Sequence, residues 1–372
     1  MGPALVDELR AVGRAAGLDA LGVAAATPFD ETRVQLERRK AAGLHGGMHF
    51  TYGRPERSTR PEAALPGARS LVVGARGYRR ADPPAPDRPG GAVARYARAD
   101  HYGALRDGLA AVAERLEADG WRTRVLCDDN ALVDRAAAHR AGLGWYGKSA
   151  NLLLEGRGSW FVLGAVVTDA PLPPAAEPVA DGCGPCTRCL DACPTGAIVA
   201  PGVVDARRCL AWLVQAPGPF PLEHRVALGD RLYGCDVCQE VCPPNRIEDR
   251  RTSPSAGGDG DEAWVDLVDL LGRSDDELLA RHGRWYVPRR QPRHLRRNAL
   301  VVLANVADGR DPAVVEAVAG ALADPDPLVR GHGAWAAHRL GLGALADRVL
   351  AGEEDGTVLE EVAAGRAAGP RR

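Results

Sequence analysis

Hydrophobic and polar positions along the first 170 residues follow two different periods. Short apolar runs typical of strands occur at Ser70–Gly74, Arg124–Cys127 and Trp160–Thr168. Alanine, leucine and valine at helical spacing occur at Leu105–Asp119 and Leu132–Ala141. Because such alternation favours a sheet covered by helices, we expect this part of the chain to form an α/β domain.

The remaining sequence divides where its composition changes. Pro171–Pro178, with four prolines, is typical of a linker, and Asp249–Glu262 has almost no apolar residue. Helical patterns follow, and Leu295–Val306 and Asp326–Leu340 suit either two turns of a helical repeat or an ordinary bundle. We expect an α+β multidomain protein with an α/β domain at 1–170, a cysteine-rich domain at 171–248, a flexible connector at 249–263 and a helical region at 264–372.

Composition narrows the class of protein. The chain of 372 residues has a net charge of −2, which argues against a globally basic nucleic-acid binder. No apolar run approaches the roughly 18 residues that a membrane helix needs, and Met1–Arg10 lacks the features of a signal peptide. A cytoplasmic protein without a membrane partner is therefore expected. Nine cysteines, and only two lysines (Lys40 and Lys148) among 47 basic residues, stand out.

Eight of the nine cysteines lie between Cys183 and Cys242, and seven of these form two runs that resemble a bacterial two-cluster ferredoxin. The first run is Cys183-x2-Cys186-x2-Cys189-x3-Cys193-Pro194, and the second is Cys235-x2-Cys238-x3-Cys242-Pro243. In a symmetric ferredoxin the second run would begin at position 232, which is a leucine here. Cys209, across a 25-residue insertion, must then supply the missing thiolate.

In such ferredoxins the fourth cysteine of each run binds the other cluster. This rule assigns Cys183, Cys186, Cys189 and Cys242 to a first [4Fe–4S] cluster, and Cys193, Cys209, Cys235 and Cys238 to a second. Two structural zinc sites are the alternative, but these normally use paired Cys-x2-Cys knuckles. The ninth cysteine, Cys127, ends an apolar strand and is expected to be a buried, inert thiol.

Several separated motifs resemble the epoxyqueuosine reductase family. They are Arg95-Tyr96-Ala97, the segment Cys127–Arg135, Ala141–Lys148, Asp205–Cys209, Tyr233–Gln239 and His294–Asn298. The resemblance extends over nearly the whole chain. It implies a reductase that removes the epoxide oxygen of epoxyqueuosine in the tRNA anticodon loop, using base-off cobalamin whose cobalt the two clusters reduce.

The resemblance also implies site residues. An aspartate of the family, which falls on Asp128 here, donates the proton that lets the oxygen leave as water. Cobalamin is expected to lie against residues that the family uses partly through their backbone: Tyr96, Ala97, Asp128, Lys148, Leu152, Ala211 and Asp236. This sequence departs from the family pattern after Cys209 and at Ser149 and Ala150, which puts the detailed pocket contacts in question.

Each of these positions also has a simpler interpretation. Asp128 or Asp129 could merely cap a helix that starts near Ala131. Asp134, where the family usually has glutamate, suits a structural ion pair. Lys148 could be a helix-end lysine, and the glycines at 142, 144 and 147 are explained by tight turns alone.

The stretch Arg281–Arg297 holds seven arginines, two histidines and no acid. Arginine forks suit phosphate oxygens, and Trp285 and Tyr286 offer stacking surfaces for bases. A solvated helix face is the simpler interpretation. If the stretch binds tRNA, as the resemblance implies, the contacts are expected from Arg289, Arg290, Arg293, Arg296 and Arg297.

The full hypothesis is a monomeric oxidoreductase that acts on tRNA and receives electrons from a low-potential donor such as a flavodoxin or ferredoxin. A corrinoid reductive dehalogenase is the alternative within the same chemistry. A ferredoxin-type electron-transfer module is an alternative from another class, but it would leave residues 1–170 and the arginine-rich stretch unexplained.

Overall fold

The computed structural model describes residues 3–177, 179–251 and 261–371. Apart from its ends, the predicted flexible connector at 249–263 lies outside the described residues.

The strands of the described chain are β1 (Ala20–Ala25), β2 (Ser70–Gly77), β3 (Gly90–Val93), β4 (Thr123–Cys127), β5 (Gly144–Tyr146), β6 (Leu152–Leu154), β7 (Phe161–Thr168), β8 (Ile198–Ala200), β9 (Val203–Val204), β10 (Arg231–Tyr233) and β11 (Trp264–Asp266). The helices are α1 (Pro3–Ala15), α2 (Asp30–Ala41), α3 (Pro55–Ser58), α4 (His101–Glu117), α5 (Asp134–Arg140), α6 (Arg188–Asp191), α7 (Leu210–Leu213), α8 (Leu222–Leu228), α9 (Val237–Glu240), α10 (Pro243–Arg251), α11 (Leu267–Gly272), α12 (Asp275–His282), α13 (Arg293–Val306), α14 (Pro312–Leu322), α15 (Pro327–Arg339), α16 (Gly343–Val349) and α17 (Gly356–Ala368). Short 3-10 turns occur at Pro61–Ala63, Arg95–Ala97 and Pro288–Arg290.

The chain folds as two compact units, each built from segments that are separate in sequence. Unit 1 comprises Met1–Ala81, Ala99–Arg207 and Asp236–Gly258. Unit 2 comprises Asp82–Arg98, Arg208–Cys235 and Asp259–Arg372. The division into four consecutive domains stays a prediction.

Unit 1 is built on a four-stranded sheet in the order β1-β2-β7-β4. Every neighbouring pair in it is antiparallel, with Ser70 opposite Thr168 and Cys127 opposite Gly164. The three predicted strands are confirmed as β2, β4 and β7. Alternation of strand and helix patterns usually accompanies parallel sheets, so strand direction is the feature of this sheet that the pattern did not predict.

Helices cover both faces of this sheet, because successive strand residues point to opposite sides. Leu71 and Val73 share a buried cluster with the alanines of α5. On the other face α4 approaches closely, and a Cβ placed on Gly74 or Gly164 would lie 2.9 or 2.8 Å from Leu109. Glycine at these two positions therefore lets α4 pack directly on the strands. The sheet carries β4 at its edge, so the chain leaving β4 is held by the sheet on one side only.

The cysteine-bearing part of unit 1 consists of short elements, namely the hairpin β8–β9 and the helices α6, α9 and α10. A separate hairpin, β5–β6, precedes it. Gly144 belongs to this hairpin, where a Cβ would meet the Leu153 carbonyl oxygen, and Gly142 lies in a turn at φ +71°. Tight backbone geometry therefore explains both glycines.

Unit 2 combines a small sheet with a helical array. The sheet order is β10-β3-β11, in which β3 pairs parallel with β10 and antiparallel with β11. Helix α13 is almost entirely buried and packs on α15, which packs in turn on α14, α16 and α17. Both helices predicted in this region are confirmed. Within the described residues, no helix is both long and apolar enough to cross a bilayer.

Candidate functional site

Asp128 lies in a loop of unit 1, here called the Asp128 loop (residues 128–130), directly after β4. Its backbone has φ +52°, a left-handed conformation that costs a non-glycine residue about 1–2 kcal/mol. The neighbouring Asp129 accepts the Ala131 N–H at 2.8 Å with its carboxylate, which closes a local turn. Helix α5 begins only at Asp134. The cap-like role thus belongs to Asp129, and the interpretation of Asp128 as a helix cap is wrong.

Asp128 is exposed, yet the surrounding protein removes part of the hydration of its carboxyl. This desolvation raises its pKa, Arg106 opposes the shift, and Asp129 adds to it. Among the described residues the carboxyl accepts no hydrogen bond that would hold it ionised. Its environment therefore favours the protonated form more than water does, as a proton donor near neutral pH requires.

Asp134 lies deeper in unit 1 and is the least expected group near Asp128. Burial and the neighbouring Asp128 raise the pKa of its carboxyl well above the usual value. Its Oδ1 atom is buried and has no hydrogen-bond partner among the described residues. The expected structural ion pair is not formed in the described part of the chain, so that expectation is wrong.

Two further groups complete this region. Burial raises the pKa of the Tyr102 hydroxyl, and the charges of Asp128 and Asp134 raise it further. The tyrosine therefore lies near both carboxyls. Burial also raises the pKa of the Cys127 thiol to about 12, and the Sγ atom lies 3.6 Å from the Tyr102 carbonyl oxygen. Cys127 is confirmed as a buried thiol of low reactivity.

The four thiols assigned to the first cluster come together within unit 1. Burial raises the pKa of Cys242 to about 11, and the charges of Cys183, Cys189 and Cys186 raise it further. The pKa of Cys189 is raised by burial and by Cys183 and Cys186. Cys242, more than 50 residues away in sequence, is thus a close neighbour of the first run. All nine cysteines are described, and none forms a disulfide.

The second group of thiols is divided between the two units. Cys193 and Cys238 lie in unit 1, whereas Cys209 and Cys235 lie in unit 2. Burial alone would raise the pKa of Cys193, but amide N–H groups outweigh it and lower the pKa, and the Ala197 N–H lies 3.1 Å from Sγ. That arrangement stabilises a thiolate, the form that binds iron. The second ligand set stays a prediction.

In the described parts of the chain, no three His, Cys, Asp or Glu side chains are gathered closely enough to hold a single metal ion. A zinc site would need thiolates at about 2.3 Å from one ion. A cubane holds its four thiolates farther apart than one ion does. The lack of a single-ion site among the described residues therefore does not argue against a cluster.

A buried polar network fixes the segment that carries Cys238 and Cys242. Gln239 donates through Nε2 to the Ser159 carbonyl oxygen at 3.0 Å. Asn245, fully buried, donates through Nδ2 to the Gln239 carbonyl oxygen at 2.8 Å and accepts the Ser159 N–H at 2.6 Å. Satisfied buried amides of this kind give one defined geometry. The segment that carries the two cysteines is therefore rigid.

The residues expected to contact cobalamin are also divided. Asp128, Lys148, Leu152 and Asp236 lie in unit 1. Lys148 donates through Nζ to the Gly184 carbonyl oxygen at 2.6 Å, so its ammonium ties the β5–β6 hairpin to the cysteine loop. Leu152 and Asp236 are buried.

The other three predicted cobalamin contacts, Tyr96, Ala97 and Ala211, lie in unit 2. The Tyr96 hydroxyl accepts a hydrogen bond from Gln215 Nε2 at 3.0 Å. Ala97 is buried, and its carbonyl oxygen accepts the Trp285 indole N–H at 2.8 Å. Ala211 is half-buried on α7.

The arginine-rich stretch is mostly bonded to its own protein. Arg297 is 0% exposed and donates to main-chain carbonyls, so its prediction as a direct tRNA contact is wrong. Arg293 pairs with Asp326 at 3.2 Å, and Arg296 pairs with Asp275 at 2.5 Å. The physical reason is that helix ends and loops of the protein offer carbonyl and carboxylate oxygens. A guanidinium donates hydrogen bonds to these oxygens as readily as it does to phosphate oxygens.

Arg289 and Arg290 form no ion pair among the described residues, although Arg290 donates to the Gly283 carbonyl oxygen at 3.3 Å. Both are exposed and both have left-handed backbone, with φ values of 52° and 54°. Tyr286, at 57% exposure, lies beside them in sequence. Trp285 is 5% exposed and stacks on Tyr233 at 4.5 Å between ring centroids, so the expectation that it offers a base-stacking surface is wrong.

One cavity of about 800 Å³ opens in unit 1 along α2 and α3. It is lined by Lys40, Arg54 and Arg57 among others, and by none of the predicted site residues. The cavity is therefore distinct from the Asp128 region, although α3 contributes to both, as described below.

The comparisons with known proteins agree with the cysteine pattern and extend beyond it. A family model for a 4Fe-4S double cluster binding domain matches residues 182–245. The epoxyqueuosine reductase of Bacillus cereus is 33% identical over 370 residues, which cover 96% of both chains. That of Xanthomonas campestris is 36% identical over 343 residues, 90% of this chain and 96% of the relative.

Solved structures give the same result. A crystal structure of epoxyqueuosine reductase with an epoxyqueuosine-modified tRNA-Tyr stem loop is 33% identical and has a TM-score of 0.88 over 97% of this chain and 98% of that one. The Streptococcus thermophilus epoxyqueuosine reductase has a TM-score of 0.87 at 27% identity, covering 99% of both chains. Similarity of sequence over nearly the full length, together with the cysteine pattern and the fold, shows that this chain belongs to the epoxyqueuosine reductase family.

Proposed function

We propose that this protein is an oxidoreductase that reduces epoxyqueuosine to queuosine in tRNA. The observation that carries the proposal is the identity of 33% over 96% of both chains with a relative named for that reaction. The structure adds a carboxyl, Asp128, in surroundings that favour its protonated form.

The reaction removes one oxygen atom from an epoxide. Both C–O bonds break, a carbon–carbon double bond forms, and the oxygen leaves as water after taking up two electrons and two protons. Asp128 donates one of these protons to the departing oxygen. Desolvation raises the pKa of this carboxyl, which is the direction that a proton donor needs.

The electrons come from two [4Fe–4S] clusters. The first is held by Cys183, Cys186, Cys189 and Cys242, whose thiols are close neighbours in unit 1. The second is held by Cys193, Cys209, Cys235 and Cys238. A low-potential protein such as a flavodoxin or ferredoxin reloads them.

The residues near Asp128 fit a bound cobalamin. The buried Oδ1 atom of Asp134 has no partner among the described residues, and a peripheral amide of a corrin is the kind of donor that it needs. Tyr96, Ala97, Asp128, Lys148, Leu152, Ala211 and Asp236 would hold the cofactor. When bound, cobalamin would supply a cobalt centre for electron transfer between the clusters and the substrate.

Recognition of tRNA falls to the helical part of unit 2, which we propose to be HEAT-like in a monomeric protein. Arg289 and Arg290 are exposed, form no ion pair among the described residues and are suited to phosphate oxygens. Arg293 and Arg296 can contribute only if they exchange their carboxylate partners for phosphate. A reductive dehalogenase or a separate electron-transfer module is not favoured, because the relatives named epoxyqueuosine reductase match nearly the whole chain.

Anaerobic reconstitution with iron, sulfide and cobalamin tests the cofactor part of the proposal. We expect about eight irons per chain and, after partial reduction, an EPR signal of base-off cob(II)alamin. Protein that binds iron but gives no cobalamin signal would contradict the cobalamin assignment. The Cys127→Ala variant is the matched control, since that thiol lies outside both cluster groups.

A further inference from the structure

The Asp128 loop is tied to a helix that lies far away in sequence. Ser58, the last residue of α3, donates through its hydroxyl to the Asn130 carbonyl oxygen at 2.6 Å. The two residues are 72 positions apart, and Ser58 is 1% exposed. This bond joins α3 to the residue two positions after Asp128.

The Ser58 hydroxyl has one proton and three acceptors within reach. The carbonyl oxygens of Thr51 and Arg54 lie at 3.3 and 3.2 Å, clearly farther than Asn130 at 2.6 Å. The Asn130 bond therefore dominates. The backbone bond from the Ser58 N–H to the Arg54 carbonyl, at 3.1 Å, keeps α3 closed without the hydroxyl.

The loop needs such a tie for two reasons. Asp128 has left-handed backbone, which a non-glycine residue keeps only when its surroundings enforce it. The other hydrogen bonds shown by residues 128–130 in turns and side chains stay local: Asp129 accepts the N–H groups of Ala131 and Leu132. The sheet ends at Cys127, on an edge strand, so it cannot hold the loop.

We propose that Ser58 is a positioning residue for the reaction: its hydroxyl holds the Asn130 carbonyl and thereby keeps the Asp128 carboxyl in place. This inference rests on the proposed function, in which Asp128 donates a proton. Without the bond the loop can relax from its left-handed conformation, and the carboxyl moves with it. Displacement of a catalytic group by about 1 Å can lower a rate by about 100-fold.

The Ser58→Ala variant tests this inference, and Thr59→Val is its matched control. Thr59 is the next residue and is equally buried at 1%, but its hydroxyl donates to the Pro55 carbonyl at 2.7 Å, within its own turn. Ser58→Thr restores the donor. If Ser58→Ala is too unstable to purify, Ser58→Cys keeps the side-chain volume with a weaker donor.

Two measurements are made on each variant. The first is the steady-state reduction of an epoxyqueuosine-modified anticodon stem loop by the reconstituted enzyme. For Ser58→Ala we expect kcat to fall by about 10- to 100-fold with an unchanged KM, and Ser58→Thr to recover most of it.

The second measurement is hydrogen exchange in the reconstituted protein without substrate. Peptides covering residues 128–132 should exchange faster in Ser58→Ala and at the wild-type rate in Thr59→Val. Unchanged exchange in Ser58→Ala, or equal loss of kcat in both variants, would overturn the inference. Hydrogen exchange does not need turnover. A wild-type protein that fails to reduce epoxyqueuosine would therefore contradict the proposed function, whereas the exchange data would still show whether Ser58 holds the Asp128 loop.

Discussion

Replacement of Arg297 by methionine should destabilise unit 2 without acting through tRNA. The guanidinium is fully buried, and burial lowers its pKa to about 9, which still leaves it charged at neutral pH. It donates to the Asn298 side-chain oxygen and to the main-chain carbonyl oxygens of Leu213, Val214, Ala216 and Gly218, at distances from 2.5 to 3.3 Å.

The magnitude follows from what the substitution leaves behind. A hydrogen bond from a charged donor contributes about 1.5–3 kcal/mol, and each buried acceptor left unpaired costs about 1–3 kcal/mol. These contributions are not additive, and removal of one partner from a buried charged network typically costs about 3–5 kcal/mol. We therefore expect Arg297→Met to lower the free energy of unfolding by about 4 kcal/mol, a large part of the roughly 5–15 kcal/mol of a folded domain.

Urea unfolding followed by far-UV circular dichroism measures this loss, with Arg296→Met as the neighbouring control. Arg296 keeps some exposure, pairs with the exposed Asp275 and donates to the Arg273 carbonyl oxygen at 2.8 Å, so its replacement should cost less, about 1–2 kcal/mol. If Arg297→Met instead unfolds at the wild-type urea concentration and binds tRNA more weakly, the buried position of Arg297 would be refuted.

Three further predictions concern the clusters, the RNA surface and pH. Cys242→Ala should reduce the iron content by about half, whereas Cys127→Ala should leave it unchanged; equal iron in both would refute the ligand assignment. Charge reversal of Arg289 and Arg290 should weaken tRNA binding and make it less dependent on salt concentration. Charge reversal of Arg310, which is exposed and paired with Asp308, should have neither effect. Equal effects of the two changes would mean that only the net charge of the protein matters. Burial lowers the pKa of His294 to about 4. Between pH 6.5 and 4 the unfolded chain therefore binds a proton that the folded protein does not, and the free energy of unfolding decreases as the pH is lowered through this range. From pH 7 to 5 wild type should lose about 2 kcal/mol more than His294→Gln in urea unfolding, and parallel losses would contradict the burial.

The elements that sequence reasoning located well are those with a strong period. The apolar runs of β2, β4 and β7 and the helical spacing of α13 and α15 reflect burial, which the order of residues records directly. Strand direction leaves no mark in this pattern, because antiparallel and parallel strands can be equally apolar. The antiparallel sheet of unit 1 could therefore not be read from alternation alone.

The arginine-rich stretch shows a second limit. A high local count of arginines predicts a charged surface, but the side chain is long enough to reach carbonyls inside the protein. Arg297 does so in full, whereas Arg289 and Arg290 remain exposed. No local sequence signal separates these cases, because the main-chain carbonyl partners of Arg297 lie about 80 positions earlier.

The candidate site was predictable where its residues follow a rule of sequence spacing, as cluster-binding cysteines do. The cysteine runs predicted Cys242 as a neighbour of Cys183, and the charge of Cys183 does raise the pKa of the Cys242 thiol, while the ligand assignment itself stays a prediction. The tie between Ser58 and Asn130 joins a hydroxyl to a backbone carbonyl across 72 residues, and such a pair has no spacing rule. The unpartnered oxygen of Asp134 was hidden for the same reason, since only the fold shows what surrounds it.

The most direct test of the central claim is mass spectrometry of nucleosides from tRNA that carries epoxyqueuosine. The tRNA is incubated anaerobically with the reconstituted protein and a strong low-potential reductant, beside Asp128→Asn prepared in the same way. We predict that wild type converts epoxyqueuosine to a nucleoside lighter by one oxygen atom, and that Asp128→Asn holds its clusters without this conversion. Unchanged epoxyqueuosine after incubation with wild-type protein that contains both clusters and cobalamin would contradict the account.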